Sequence, residues 1–198
     1  MLCTWARDHG ITGTGIDMSR LFTEQATRRA DELGVSDHVR FIHDDAAGYV
    51  ADEKCDVAAC VGATWIAGGV AGTMALLAKS LRPGGMILIG EPYWRQVPAS
   101  DEIAQACGVS SIADFLTLPD LVASFDAQGY DLVEMVLADQ EGWDRYEAAK
   151  WMTLRRWLAE NSDDDFAQEV RAELTIAQRH VTYTREYFGW GVFALIAR

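Results

Sequence analysis

Cys55-Asp56-Val57-Ala58-Ala59-Cys60-Val61-Gly62 is small and apolar almost throughout, with one acid near its start. A run of that kind reads as a strand of a parallel sheet covered on both faces. Behind it, Met74-Ala75-Leu76-Leu77-Ala78 reads as a helix and Leu81-Arg82-Pro83-Gly84-Gly85 as a turn. Met86-Ile87-Leu88-Ile89-Gly90 reads as the next strand. Strand, helix and strand in that order form a right-handed crossover, the building unit of α/β folds.

The same rhythm extends towards the N-terminus. Leu2 to Asp8 reads as the tail of a helix stopped at His9-Gly10, and Ile11 to Asp17 as a short buried strand ending in an acid. Ser19 is placed to cap a helix with Phe22, Ala26, Ala30 and Leu33 on one face, which Gly34 ends. Val39-Arg40-Phe41-Ile42 is a second strand, followed by Asp44-Asp45-Ala46. Beyond Glu91 the pattern loosens. Short helical pieces fill 92 to 128, one opened by Thr117 and Pro119 and closed by Gly129. Tyr130 to Val136 is a fifth strand, 140 to 185 is largely helical with Trp143, Tyr146, Trp151 and Trp157, and Gly191 to Ala197 is a final strand.

Composition narrows the function. The chain has 198 residues, 17 basic against 30 acidic side chains, and a formal net charge of −13. That balance repels phosphate backbones and anionic lipid, so neither nucleic acid nor a membrane surface is expected as partner. No apolar run approaches the ~18 residues of a membrane span, and the first eight residues reach charge too soon for a secretory signal. The expected location is cytoplasmic. Cys3, Cys55, Cys60 and Cys107 show no metal-like spacing, and His9, His38, His43 and His180 form no helical pair, so neither metal nor disulfide is expected. The oligomeric state is not readable.

The order of these elements resembles the class I methyltransferases that use S-adenosylmethionine. The resemblance covers roughly residues 1 to 138 and 187 to 198. It implies a Rossmann-like α/β sheet, mostly parallel with an antiparallel closing strand, and a helical insertion or lid over 139 to 186, all in one domain. It further implies that Asp17, with Met18 beside it, binds the cofactor's ribose hydroxyls, and that Asp45 and Ala46 meet the adenine. Val61 and Gly62 run beneath the methionine part. Physics agrees: an acid at a strand's carboxyl end faces the ligand crevice, where two hydroxyls can donate to one carboxylate. An Asx turn leading to Ser19 is the competing reading of Asp17, and a helix N-cap that of Asp45.

One departure stands out. The family places G-x-G-x-G after its first strand, whereas this sequence opens inside the helix expected after that loop. Gly13-Thr14-Gly15 precedes an acid within the next strand and reads as close backbone packing. The sequence therefore reads as a shortened methyltransferase whose central strand is missing, leaving two unpaired strand edges. Such a chain is expected to aggregate and to bind the cofactor weakly.

Methyl transfer from a sulfonium needs alignment and dryness more than a universal catalytic residue. Glu91, after the fourth strand, is the candidate to orient the acceptor or take its proton, or else it fixes its loop. Trp65, Tyr93 and Trp94 are candidate walls of a small-molecule acceptor site. Trp143 and Tyr146 are either lid residues or core of the insertion helix. A catalytically silent remnant or binding module, and an NAD-dependent oxidoreductase, are the alternative functions. In a form carrying the glycine loop, Asp17→Ala should weaken S-adenosylhomocysteine binding by roughly 1.5–3 kcal/mol, the range for a hydrogen bond to a charged group. Asp45→Ala should cost less, since water can replace one amino contact. Calorimetry reads both, and a costlier Asp44→Ala would move the adenine register by one residue.

Overall fold

A computed structural model of the chain describes residues 1–175 and 179–198, so the expected helical stretch 140 to 185 includes three residues, 176–178, outside the described ones. Two units divide at Asp52. In the first, helix α1 (Leu2–His9) stops at Gly10, whose φ of 64° lets its N–H reach the Ala6 carbonyl. Strand β1 (Gly13–Asp17) pairs in parallel with β2 (Val39–His43), Gly13 opposite Val39 and Asp17 opposite His43. Helix α2 (Arg20–Glu32) links them, its first turn capped by the Ser19 hydroxyl accepting from the Phe22 N–H. Cys3, Ala6, Ala30, Val35 and Val39 form the core of this unit. Phe22, expected on the buried face of α2, is exposed. A Cβ on Gly13 would lie 2.7 Å from Leu2 Cδ1, and one on Gly15 would lie 2.9 Å from Phe41 Cδ1. Those glycines are where neighbouring side chains lie flat on the strand.

The second unit, Glu53–Arg198, is built on a four-stranded sheet in the order β3-β4-β6-β5. The strands are β3 (Cys55–Val61), β4 (Leu81–Trp94), β5 (Tyr130–Leu137) and β6 (Phe188–Ala197). β3 and β4 are parallel, while β6 runs antiparallel to both β4 and β5. Three strands therefore point one way and β6 alone opposes them, as a mostly parallel sheet with one antiparallel strand requires. Helix α3 (Val70–Ala78) makes the crossover from β3, and α4 (Asp101–Ala106) and α5 (Leu118–Ala127) separate β4 from β5. Thr117 caps α5 by accepting from the Asp120 N–H, and Gly129 past its end has a φ of 85°. Helices α6 (Gln140–Glu160) and α7 (Ala167–Leu174) and a π-helical turn (His180–Thr184) lie between β5 and β6.

Three local expectations are corrected. β3 is covered on one face and not on both. Ala58 and Cys60 are buried while Val57 and Val61 are exposed, the alternation of a half-covered strand. Leu81 to Gly85 is not a free turn. Leu81 pairs with Cys55, the ladder resumes at Met86 opposite Val57, and the residues between bulge from a continuous strand, with Gly84 at φ 75°. Arg82 in the bulge forms an ion pair with Asp56. Finally, Glu91 to Trp94 is strand and not loop, because β6 begins at Phe188, three residues earlier than expected, and pairs with it. Pro92 is tolerated there for a physical reason. Gly90 turns its carbonyl to the Gly62 N–H on the β3 side, so Pro92, two residues on, faces the same side after β3 has ended.

Along β4, residues Ile87, Ile89, Glu91 and Tyr93 share one face by the two-residue period, and all four are buried. Ile87 and Ile89 stand opposite Leu195 and Phe193 of β6, and with Met74, Leu121 and Phe125 they fill the core. Tyr93 stands opposite Gly189, where a Cβ would lie 2.3 Å from Tyr93 Cζ. The phenol ring thus covers a bare glycine. Gly189→Ala should destabilise the chain by about 1–3 kcal/mol, the usual cost of overpacking a filled site. Thermal melting checks this, and Tyr93→Leu in the same chain should recover part of the loss.

Candidate functional site

In the first unit the carboxyl ends of β1 and β2 bring together Asp17, Met18, Asp44, Asp45 and Ala46. The Asp44 N–H donates to the Asp17 carbonyl at 3.1 Å, and His43 Nε2 lies 3.1 Å from the Met18 carbonyl. Asp17 Oδ1 accepts from the Ser19 N–H at 2.7 Å, closing the Asx turn into α2. Among the described residues its other oxygen accepts no hydrogen bond, so the turn leaves one oxygen for a ligand hydroxyl. Asp45 Oδ1 accepts from the Ala47 N–H at 2.8 Å, but no helix follows before β3, so Asp45 makes an Asx turn and not a helix N-cap. A carboxylate with a free, exposed oxygen fits a ribose diol.

In the second unit the parallel ladder ends with Val61 opposite Gly90 and the Gly62 N–H donating to the Gly90 carbonyl at 2.9 Å. Gly62 has a φ of 79°, and a Cβ there would lie 3.1 Å from the Trp190 ring. Glycine is needed at this strand end for its positive φ and for the Trp190 ring that lies against it. The chain then enters a 3₁₀ turn, Thr64–Ala67, that begins with a buried threonine.

Glu91 is the one charged side chain in the buried row of β4, at 8% exposure. Thr64 Oγ1 donates to its Oε2 at 2.8 Å, and the Thr64 carbonyl accepts from Thr73 Oγ1 at 2.7 Å. Thr73 is fully buried, so α3, the 3₁₀ turn and β4 are tied through one polar chain ending on the carboxylate. Burial pushes the Glu91 carboxyl above its ordinary value, and the Thr64 hydroxyl offsets this only in part. Burial likewise raises the Cys60 thiol, and the Glu91 charge adds to the effect.

The aromatic candidates separate. Trp65 is 65% exposed, next to Thr64. Tyr93 is buried over Gly189. Trp94, at 2% exposure, packs edge-on against Phe115 and Phe188, and its Nε1 donates to the Ile112 carbonyl at 2.8 Å. It is a core residue with almost no surface to offer a ligand. Trp143 and Tyr146 stack on α6 with ring centroids 5.7 Å apart, and Tyr146 is 65% exposed.

Sequence reasoning passed over Thr64 and Thr73, and also Asp144 and His180, whose carboxylate and imidazole meet at 2.9 Å across 36 residues. A hydroxyl inside the apolar run of α3 was the available signal for Thr73. Nothing in the sequence pairs residue 144 with residue 180.

The methyltransferase-domain family matches residues 1–89. Protein YjhP of Escherichia coli K12 is 80% identical over 199 residues, covering 100% of this chain and 80% of that protein. Its X-ray structure superposes with a TM-score of 0.96. The SAM-dependent methyltransferase of Geobacter sulfurreducens, solved with S-adenosyl-L-homocysteine, is 70% identical with a TM-score of 0.97, covering 100% of this chain and 80% of that one. The enzyme of Thiobacillus denitrificans, also solved with S-adenosyl-L-homocysteine, is 68% identical with a TM-score of 0.96 and the same coverage. The chain belongs to the class I S-adenosylmethionine-dependent methyltransferases, and S-adenosylmethionine is its cofactor.

The burial of Glu91 has a stability signature. Its folded pKa lies above the ordinary 4.5, so the unfavourable ionisation is absent below that value and complete once pH has risen past the folded one. Glu91→Gln keeps an oxygen for Thr64 and removes the charge. It should therefore melt higher than the parent near pH 8, with the gap closing as pH falls towards 4.5. At roughly 2–4 °C per kcal/mol for a chain of this size, melting curves at a few pH values resolve the effect. A gap independent of pH would show that ionised Glu91 is not penalised.

Proposed function

We propose that the chain transfers a methyl group to a small-molecule acceptor and that Glu91 is the residue meeting the acceptor. The observation carrying this reading is a buried carboxylate, tethered by Thr64, one residue past the end of the parallel β3–β4 ladder in an open α/β sheet. Ligands of such sheets bind outside the carboxyl ends of the strands. S-adenosylmethionine supplies a methyl on a sulfonium, activated without help from the protein.

The chain's own residues then bind, orient and handle a proton. The free oxygen of Asp17, beside Met18, accepts from ribose hydroxyls, and Asp45 and Ala46 receive the adenine. Val61 and Gly62, at the end of β3, receive the methionine part. One Glu91 oxygen is held by Thr64 and the other is left for the acceptor's O–H or N–H. A carboxyl raised by burial is a better proton acceptor than one in water. Trp65, Trp143 and Tyr146 wall the acceptor with flat apolar surface, while Tyr93 and Trp94 hold the strand that carries Glu91. The helices between β5 and β6 serve as an insertion or lid.

The net charge of −13 supports a small acceptor over a nucleic acid, since phosphates are repelled. Among the described residues no helix is long and apolar enough to cross a membrane. Four free cysteines suit a reducing compartment such as the cytoplasm. Incubating the protein with trideuteromethyl-labelled S-adenosylmethionine and a metabolite extract should label a small molecule, identified by mass spectrometry. With that acceptor, Glu91→Gln should lower turnover by roughly 10²–10⁴-fold and leave S-adenosylhomocysteine affinity unchanged. An extract without labelled product, or a variant with full turnover, overturns the reading.

A further inference from the structure

His180 opens the π-helical turn before β6 and is 3% exposed. Its Nε2 lies 2.9 Å from Asp144 Oδ1, and Arg185 Nε reaches both oxygens of that carboxylate, at 3.2 and 3.1 Å. The His180 N–H, with help from Arg185 and Gln140, holds the Asp144 carboxyl below its ordinary value. A charged carboxylate on Nε2 assigns a proton to that nitrogen, and in the neutral imidazole Nδ1 then keeps its lone pair. Nδ1 is buried and has no partner among the described residues. Beside it, the Trp151 ring stands 5.9 Å away, edge-on, and its buried Nε1–H is also without a partner.

A core histidine held only for packing does not leave a buried lone pair unmatched, because each such group costs free energy. Here an acceptor on a π-helical turn, a geometry concentrated at functional sites, and a donor on α6 are both unmatched, on rings whose centroids lie 5.9 Å apart. The short helix after the turn, Arg185–Tyr187, is tied to the end of the strand of Glu91. The Arg95 N–H, just past β4, donates to the Tyr187 carbonyl at 2.8 Å, and the Arg95 side chain hydrogen-bonds Gln140 on α6.

The pair selects by charge. A carboxylate would face the Nδ1 lone pair with no hydrogen to give it, and an ammonium would leave the Trp151 N–H unmatched. A neutral group that both donates and accepts matches both. Resting on the methyl-transfer reading above, we propose that His180 and Trp151 form a subsite for a neutral hydroxyl or carboxamide of the acceptor. His180 Nδ1 accepts the group's hydrogen and Trp151 Nε1 donates to its oxygen. Asp144 is a positioning residue that fixes the imidazole tautomer, and Arg185 holds Asp144 in place.

The experiment uses nitrogen-15 histidine-labelled protein near pH 7 with S-adenosylhomocysteine present, and phenol, benzamide and benzoate as probes. Long-range nitrogen–proton NMR should show His180 Nδ1 unprotonated, shifting on addition of phenol or benzamide and not of benzoate. Calorimetry should show phenol and benzamide bound about threefold to tenfold more weakly by His180→Gln, which retains a donor for Asp144, with S-adenosylhomocysteine affinity unchanged. Trp151→Phe should weaken the same probes while leaving the His180 tautomer intact, and it keeps the test open if the histidine variant folds poorly. A protonated Nδ1, a preference for benzoate, or neutral probes that leave Nδ1 unmoved would overturn the subsite. Loss of S-adenosylhomocysteine binding by the parent would instead strike the methyl-transfer reading, and the NMR tautomer is independent of it.

Discussion

β4 sits between a parallel and an antiparallel neighbour, and the second unit depends on the two-residue period that this position enforces. A strand hydrogen-bonded on both sides cannot rotate about its axis, so the face chosen by Ile87 and Ile89 is the face Glu91 and Tyr93 must share. Burial of the first two therefore commits the carboxylate to a dry setting. Thr64 and Thr73 are the answer to that commitment. An ionisable group in the buried row needs a donor, and the turn after β3 supplies it. The same lock carries Pro92 to the side where β3 has already ended, so a residue that usually breaks sheets is harmless there.

The elements with strong local signatures are legible from the residues alone. Gly10, Thr117 and Gly129 mark helix ends by capping chemistry, and the apolar run after Cys55 marks a strand, because those signals lie within a few residues. The end of β4 is not legible in that way. Glu91 and Pro92 both suggest the close of a strand, and only pairing with Phe188–Trp190, far along the chain, extends it. Trp94 misleads for the same reason, since its burial comes from Phe115 and Phe188 rather than from its immediate neighbours. The bulge after Leu81 looks like a turn because proline and glycine carry the same message in both settings.

The candidate site divides along the same line. Asp17 and Asp45 come directly after strands, and their local Asx turns compete with ligand binding in the sequence but coexist with it in space. Asp17 can close its turn with one oxygen and keep the other. Asp144 and His180 are read only from the fold. One is on a long amphipathic helix, the other on a π-helical turn, and neither position carries a motif. Their meeting is a tertiary fact, as is the pairing of His180 with Trp151.

The bulge at Arg82–Gly85 also bears on how this sequence can drift over generations. Extra residues between two ladder pairs leave the pairs on either side undisturbed, so the family can gain or lose a residue there without disturbing the rest of the strand. Past Met86 no such slack exists. A single insertion between Ile87 and Ile89 would reverse every later side chain, moving Glu91 and Tyr93 to the opposite face of the sheet and Pro92 onto the face of Ile87. Length variation among relatives should therefore collect before Met86, and the short span from there to Trp94 should keep its residue count even where its letters change.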